Sequence, residues 1–131
     1  MRKQKGDVLI VAEKHWREML FEAVSYKLPW AEIHGASTFL EAGKMISGNE
    51  ESYLLAVVVC GQSETGGILR LAKKIKTKNN QTQVVFFLDP TRSAVKFREE
   101  VRGFGAVEIF QQSVADIFQM AMELDDILLS A

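Results

Sequence analysis

The stretch LLAVVVCGQSETGGILRLAKKIK, Leu54 to Lys76, decides the fold. Leu54 to Cys60 is an unbroken apolar run with three consecutive valines. β-branched residues pack well on a pleated surface, and a run without polar alternation predicts a strand covered on both faces. Gly61 to Gly67 is short, polar and glycine-rich and reads as a loop. Beyond it Ile68, Leu71, Ala72 and Ile75 recur at helical spacing. A buried strand that feeds a loop and an amphipathic helix is half of a βαβ unit. In parallel sheets the functional edge lies at the carboxyl ends of the strands, and Cys60 sits at that edge here.

The same punctuation repeats on either side. Asp7 to Ala12 (DVLIVA) predicts a first strand, and Trp16, Met19, Leu20, Ala23 and Val24 trace a helix between His15 and Leu28, stopped by Pro29. Trp30 to Ala36 reads as a short strand at or near a sheet edge. Ser37 or Thr38 caps the next helix, Thr38 with Glu41 matching a capping box. Phe39, Ala42, Met45 and Ile46 form that helix's inner face, and Gly48-Asn49 ends it. Gln83 to Leu88 (QVVFFL) predicts another buried strand. Asp89-Pro90 is expected to start a helix that Ala94, Phe97, Arg98 and Val101 carry to Gly103. Ala106 to Phe110 predicts the fifth strand, and Ser113 caps a last helix running to about Leu129. Five strand–helix repeats with short connections imply an α/β domain with a parallel sheet covered on both faces.

Composition narrows the function. The 131 residues fit one domain, here read as residues 1–131. The formal net charge of -1 argues against a general grip on nucleic acid. Arg70, Lys73, Lys74, Lys76 and Lys78 read as a solvated helix face. One cysteine excludes an internal disulfide and zinc-type cysteine spacing, which fits a reducing compartment. No apolar stretch reaches the roughly 18 residues of a membrane span, and the basic start lacks a signal peptide's apolar core. The expectation is a cytoplasmic protein, without cofactor, direct nucleic-acid contact or membrane contact.

The five βα units resemble the CheY-like receiver domain of bacterial response regulators over Asp7 to Leu129. The local patterns are DVLIVAE, GGILRLAKKI and RGFGAVEIF. The resemblance implies a flavodoxin-like (βα)5 three-layer sandwich with sheet order 2-1-3-4-5. It also implies a set of strand-end positions. The family's Mg²⁺-holding acidic pair falls on Ala12 and Glu13, and its phospho-acceptor aspartate on Cys60. The hydroxyl residue falls on Leu88, or on Asp89 if the register slips by one. The lysine falls on Gln112 and the aromatic switch residue on Ile109. Only Glu13 keeps its chemical type. Phosphoryl transfer to a carboxylate needs the nucleophile, a bridging metal and cations for the developing charge. The resemblance is therefore to a degenerate receiver, not phosphorylated in the usual way and not an enzyme. The loop CGQSETGG is similar to that of flagellar regulators of the FleQ type, where a degenerate receiver precedes an AAA+ and a DNA-binding domain. Pilus-localisation proteins of the CpaE/TadZ type also begin with an atypical receiver. Either parentage makes this chain the first module of a larger regulator.

Other chemistry fits less well. CGQSETG has glycine where a phosphatase loop needs arginine, and the loop lacks the Lys-Ser/Thr of a P-loop. EKHW after Ala12 is not a flavin phosphate loop. His15 and His34 are isolated in sequence and read as surface residues. The last helix carries an inward stripe of Ile117, Ala121, Leu124 and Leu128. Phe118, Met122 and Leu129 lie outside it, while Met120 and Ile127 widen the other flank. A helix on a sheet needs only about a 100° apolar stripe. The excess predicts a second buried surface, for a protein partner or a homodimer, with Phe118, Met122 and Leu129 as its residues. A receiver that still binds a small ligand or phosphodonor around Glu13, Cys60 and Gln112 is the alternative.

Overall fold

The computed structural model describes residues 6–48, 53–105 and 107–129. The elements run β1 (Asp7–Val11), α1 (Lys14–Lys27), β2 (Glu32–Ala36), α2 (Phe39–Gly48), β3 (Tyr53–Gly61), α3 (Thr65–Lys78), β4 (Gln83–Leu88), α4 (Ala94–Glu100), a 3-10 turn (Arg102–Phe104), β5 (Val107–Gln111) and α5 (Val114–Leu129). All strands pair in parallel, in the order β2-β1-β3-β4-β5. This is the expected flavodoxin-like (βα)5 sandwich.

Side chains alternate across the sheet and build two cores. Leu9, Val11, Ala56, Val58, Cys60, Val84, Phe86 and Leu88 face α2, α3 and α4. Val8, Ile10, Leu55, Val57, Val59, Val85 and Phe87 face α1 and α5. The central strands carry no polar alternation because both their faces are dry. The edge strand β5 has no fully buried residue. β2 is the other edge, as its weaker pattern predicted.

Local chemistry sets the boundaries. The Leu28 N–H bonds to the Val24 carbonyl and closes α1 one residue before Pro29. At the start of α2, the Glu41 N–H donates to Thr38 Oγ1 at 3.0 Å, while the Glu41 carboxylate accepts from the Ser37 N–H at 2.6 Å. Both Ser37 and Thr38 therefore belong to one shared cap. Ser113 caps α5, its Oγ accepting the Asp116 N–H, and the Asp116 carboxylate reaches back to the Gln111 N–H.

Several expectations change. The loop after β3 is shorter than Gly61–Gly67, because Gly66 and Gly67 lie in the first turn of α3. Glycine is tolerated there, and Gly67 packs against the Phe39 ring of α2. Asp89-Pro90 does not start a helix. The Asp89 carboxylate accepts from both the N–H and the hydroxyl of Thr91, which makes a turn, and α4 begins at Ala94 with Ser93 as its cap. Val101 ends α4 before Gly103, and the chain tightens into the 3-10 turn. On α5, Met120 and Ile127 are buried in the core, so the flank they widen needs no partner. Leu128 is only half-buried. Asn49 and Ala106, assigned to a helix end and a strand start, lie outside the described residues. Among the described residues no helix is long and apolar enough to cross a membrane.

Helix α4 has seven residues and only Phe97 fully buried among them. That ring meets Phe86 edge-on, with centroids 5.0 Å apart. Phe97→Ala is expected to lower stability by about 3–5 kcal/mol, the usual loss for a buried phenylalanine. Urea unfolding is the check. A loss below about 1 kcal/mol would mean that α4 is held by something else.

Candidate functional site

The carboxyl ends of β1 and β3 open onto a cleft of about 500 Å³. Ala12 and Glu13 come from the loop after β1, Ser37 and Thr38 from the loop after β2, Phe39 from the start of α2, Cys60 to Ser63 from the end of β3 and the loop after it, and Gln112 from the residue after β5. Four of the five positions singled out in the sequence, Ala12, Glu13, Cys60 and Gln112, thus line one site. Leu88 does not. It ends β4 and is buried in the core behind the cleft. Asp89 is half-buried, and its carboxyl is held below the usual carboxylate range by the two Thr91 hydrogen bonds. Ile109 is half-buried in the α2–α4 core.

Cys60 is 1% exposed. Its Sγ lies 3.9 Å from the Val58 carbonyl oxygen, a weak contact at most. Burial pushes the thiol up to about 12, against a smaller opposing pull from Arg92. A thiol in this setting stays protonated at neutral pH and behaves as a small apolar side chain. Gly61 follows with φ of +54°, in the left-handed region glycine tolerates, and the β3–β4 register shifts at this point. The Ser63 N–H then bonds to the Cys60 carbonyl and folds the loop over the strand end.

The Mg²⁺ that a working receiver would hold does not fit these residues. Glu13 supplies one exposed carboxylate, beside the Ala12 methyl and a protonated thiol. Among the described residues, no group of three His, Cys, Asp or Glu ligands converges at this end of the sheet. Mg²⁺ requires oxygen ligands in an octahedral shell.

Two arginines organise the cleft, and the sequence reading named neither. Arg17 of α1 donates from Nη1 to the Ala12 carbonyl at 3.1 Å and to Ser37 Oγ at 2.6 Å, joining the loops after β1 and β2. Its stem crosses Gly35, where a Cβ would come within 2.8 Å of the Arg17 Cδ. Arg92, after β4, donates to Thr65 Oγ1 at 2.8 Å and to the Ser63 carbonyl, joining the loops after β3 and β4. Arg92 Nε and Gln112 Oε1 are buried and have no hydrogen-bond partner among the described residues. No local pattern distinguishes these arginines from solvated ones. Their partners lie 20 and 27 residues away for Ser37 and Thr65, and only the fold brings them together.

At the sheet's other end His34 is not a surface histidine. Its ring is half-buried, edge-on to Tyr53 and hydrogen-bonded through both nitrogens. His15 is exposed, beside Trp16. On α5, Phe118, Met122 and Leu129 are 64%, 74% and 82% exposed. Phe118 and Met122 form one wall of an apolar groove whose other wall is Met19, Ala23 and Tyr26 of α1.

No family model and no curated protein matches the sequence. Solved structures do match. The response regulator domain of Thermotoga maritima CheB is 21% identical, with a TM-score of 0.71, and the match covers 98% of this chain and 96% of that one. A response regulator from Thermotoga maritima is 18% identical, with a TM-score of 0.72 and coverage of 96% and 99%. The CpaE2 pilus assembly protein of Sinorhizobium meliloti is 14% identical, with a TM-score of 0.67 and coverage of 92% and 98%. The fold of this chain is thus the fold of response regulator receiver domains.

Proposed function

We propose that this chain is a pseudo-receiver, a module of bacterial signal transduction that works by binding protein and not by accepting phosphate. The observation that carries this reading is the buried, protonated thiol of Cys60 at the end of β3. A thiol of this kind is not a carboxylate nucleophile. Ala12, Leu88 and Gln112 complete the loss, since a methyl, an isobutyl group and an uncharged amide replace an acid, a hydroxyl and a cation. The chain is proposed to act as the receiver module of a larger regulator, in the cytoplasm, without catalysis of its own. Its partner, a second copy or another protein, packs on Phe118, Met122 and Leu129.

A second reading keeps the cleft as a ligand site. Gln112 Oε1 favours it, because a buried carbonyl oxygen without a partner is costly and a small donor would satisfy it. Acetyl phosphate with Mg²⁺, followed by intact-mass measurement, separates the two. Unchanged mass is expected. A phosphorylated species, lost on Cys60→Ala or Glu13→Ala, would sink the pseudo-receiver.

The thiol gives a further check. Its rise from 9.0 to about 12 leaves roughly a thousand-fold less thiolate near neutral pH than a free cysteine has. Alkylation of the folded chain should therefore be slower than that of the urea-unfolded chain by at least about a hundred-fold. The sign of the linked pH effect follows. Below pH 9 the thiol is protonated in both states and costs nothing. From pH 9 towards 12 the unfolded chain ionises it and the folded chain does not, so stability falls by up to about 1.4 kcal/mol per pH unit. Cys60→Val should remove that part of the alkaline loss, and fast labelling at pH 7 would revive a catalytic cysteine.

For the interface, light scattering coupled to size exclusion reads self-association directly. Replacing Phe118, Met122 and Leu129 by lysine should leave the fold intact, since all three are exposed, and abolish any dimer. A concentration-independent monomer before and after substitution rules out the homodimer and leaves a different protein as the partner.

A further inference from the structure

We propose that Asp7, Glu32 and His34 form a binding site for a divalent transition-metal ion of the zinc class, at the end of the sheet opposite the strand-end cleft. The register makes the site. Asp7 of β1 and Glu32 of β2 are paired neighbours at the first positions of their strands. His34 lies two residues beyond Glu32 and so projects from the same face. Their ligand atoms all lie within 4.8 Å of one another. His34 Nε2 is 2.8 Å from Glu32 Oε1 and 3.9 Å from Asp7 Oδ2. Ligand atoms about 2.0–2.1 Å from a tetrahedral zinc sit roughly 3.3 Å apart, between those two distances. Small side-chain rotations would close the site.

The imidazole is already oriented for the role. Its Nδ1 lies 2.8 Å from Tyr53 Oη, and Tyr53, at the start of β3, is 5% exposed. Metal-binding histidines commonly anchor their second nitrogen on a neighbouring group of this kind, which fixes both the ring and its tautomer. With a metal on Nε2, the ring proton sits on Nδ1 and donates to the phenol oxygen. Without metal, the other tautomer lets Nε2–H donate to Glu32 while Nδ1 accepts from Tyr53, so the Tyr53 contact serves both states and the metal would take the place of the Nε2–H bond to Glu32.

The donor set selects the ion. One imidazole and two carboxylates suit zinc and its neighbours, whereas Mg²⁺ and Ca²⁺ require oxygen shells. Three protein ligands leave a fourth position for water or for a donor from another molecule. Access is open, with the Glu32 side chain 75% exposed and those of His34 and Asp7 26% and 17%. A bound ion would tie the edge strand β2 to β1 and, through Tyr53, to β3.

Zn²⁺ titrated into the tag-free chain, followed by calorimetry and thermal unfolding, tests the proposal. One ion per chain is expected with Kd below about 100 μM, together with a rise in Tm of at least about 3 °C at saturating metal. Mg²⁺ at the same concentration should do neither. His34→Gln and Glu32→Gln should each weaken Zn²⁺ binding at least ten-fold, while Cys60→Ala and His15→Gln should leave it unchanged. Glu32 is exposed, so its variant is expected to fold even if the His34 variant does not. Imidazole ¹⁵N shifts should place the metal on Nε2 of His34. Absence of saturable Zn²⁺ binding, or binding that survives Glu32→Gln, would overturn the proposal.

Discussion

Everything in this fold depends on the double burial of β3. The strand pairs with β1 on one side and β4 on the other, and helices cover both of its faces. Its backbone polar groups are satisfied within the sheet, so its side chains have only dry packing to answer to. The last of these is Cys60, and whatever stands there must either stay neutral or bring compensation. A carboxylate at this position would need a cation or a metal to offset its desolvation. A thiol needs neither, because burial simply keeps its proton on. On the proposed reading, Ala12 and Gln112 are physically consistent with that one choice: without an anion to stabilise, the site has no use for a second acid or a lysine.

Two arginines do at the strand ends what ligand-mediated contacts do in other loop-built sites. Arg17 joins the first two loops and Arg92 the next pair, each through a backbone carbonyl and a hydroxyl. A planar guanidinium with several donors can hold two partners at once, which an ammonium group does with less directional control. The cleft is therefore stitched by permanent side chains. Gly35 belongs to this device, since the Arg17 stem passes where a Cβ would stand. On the proposed reading, that is a face kept in one arrangement and not one poised to switch.

The strands were legible because the apolar runs are uninterrupted and the breakers stand where the chain turns. Val57 to Val59, Phe86-Phe87 and the Pro29 stop needed only local rules. The helix starts were less legible wherever a side chain had two uses. Asp89 looks like a cap before a proline, yet it spends its carboxylate on Thr91, and Ser93 takes over the capping. Gly66 and Gly67 look like loop, yet they open a helix whose later turns supply the packing. The strand-end positions could be placed by counting from the strands. The arginine clamps and the His34 cluster could not, because their partners come from other strands or from distant loops. His34 looked isolated in sequence, and only the registers of β2 with β1 and of β1 with β3 put Asp7 and Tyr53 beside it.

The last helix shows how far an apolar count can be trusted. Its wide hydrophobic arc has two causes, which the sequence alone cannot separate. Met120 and Ile127 are consumed by the domain's own core, because α5 sits deep against β4, β5 and α1. Phe118, Met122 and Leu129 are not, and they share an exposed face with Val114. Between Val114 and Leu129 there are four acidic residues, Asp116, Glu123, Asp125 and Asp126, and no lysine, arginine or histidine. A twofold contact of this helix with its own copy would bring like charges together along the flank of the apolar strip, with no cation on either copy of α5 to pair them. A partner with an apolar stripe edged by lysine or arginine meets no such penalty. On the proposed reading, the carboxylates of α5 disfavour a contact of two copies along this helix alone, although Lys27 of α1 lines the neighbouring groove and the apolar strip would serve either kind of partner.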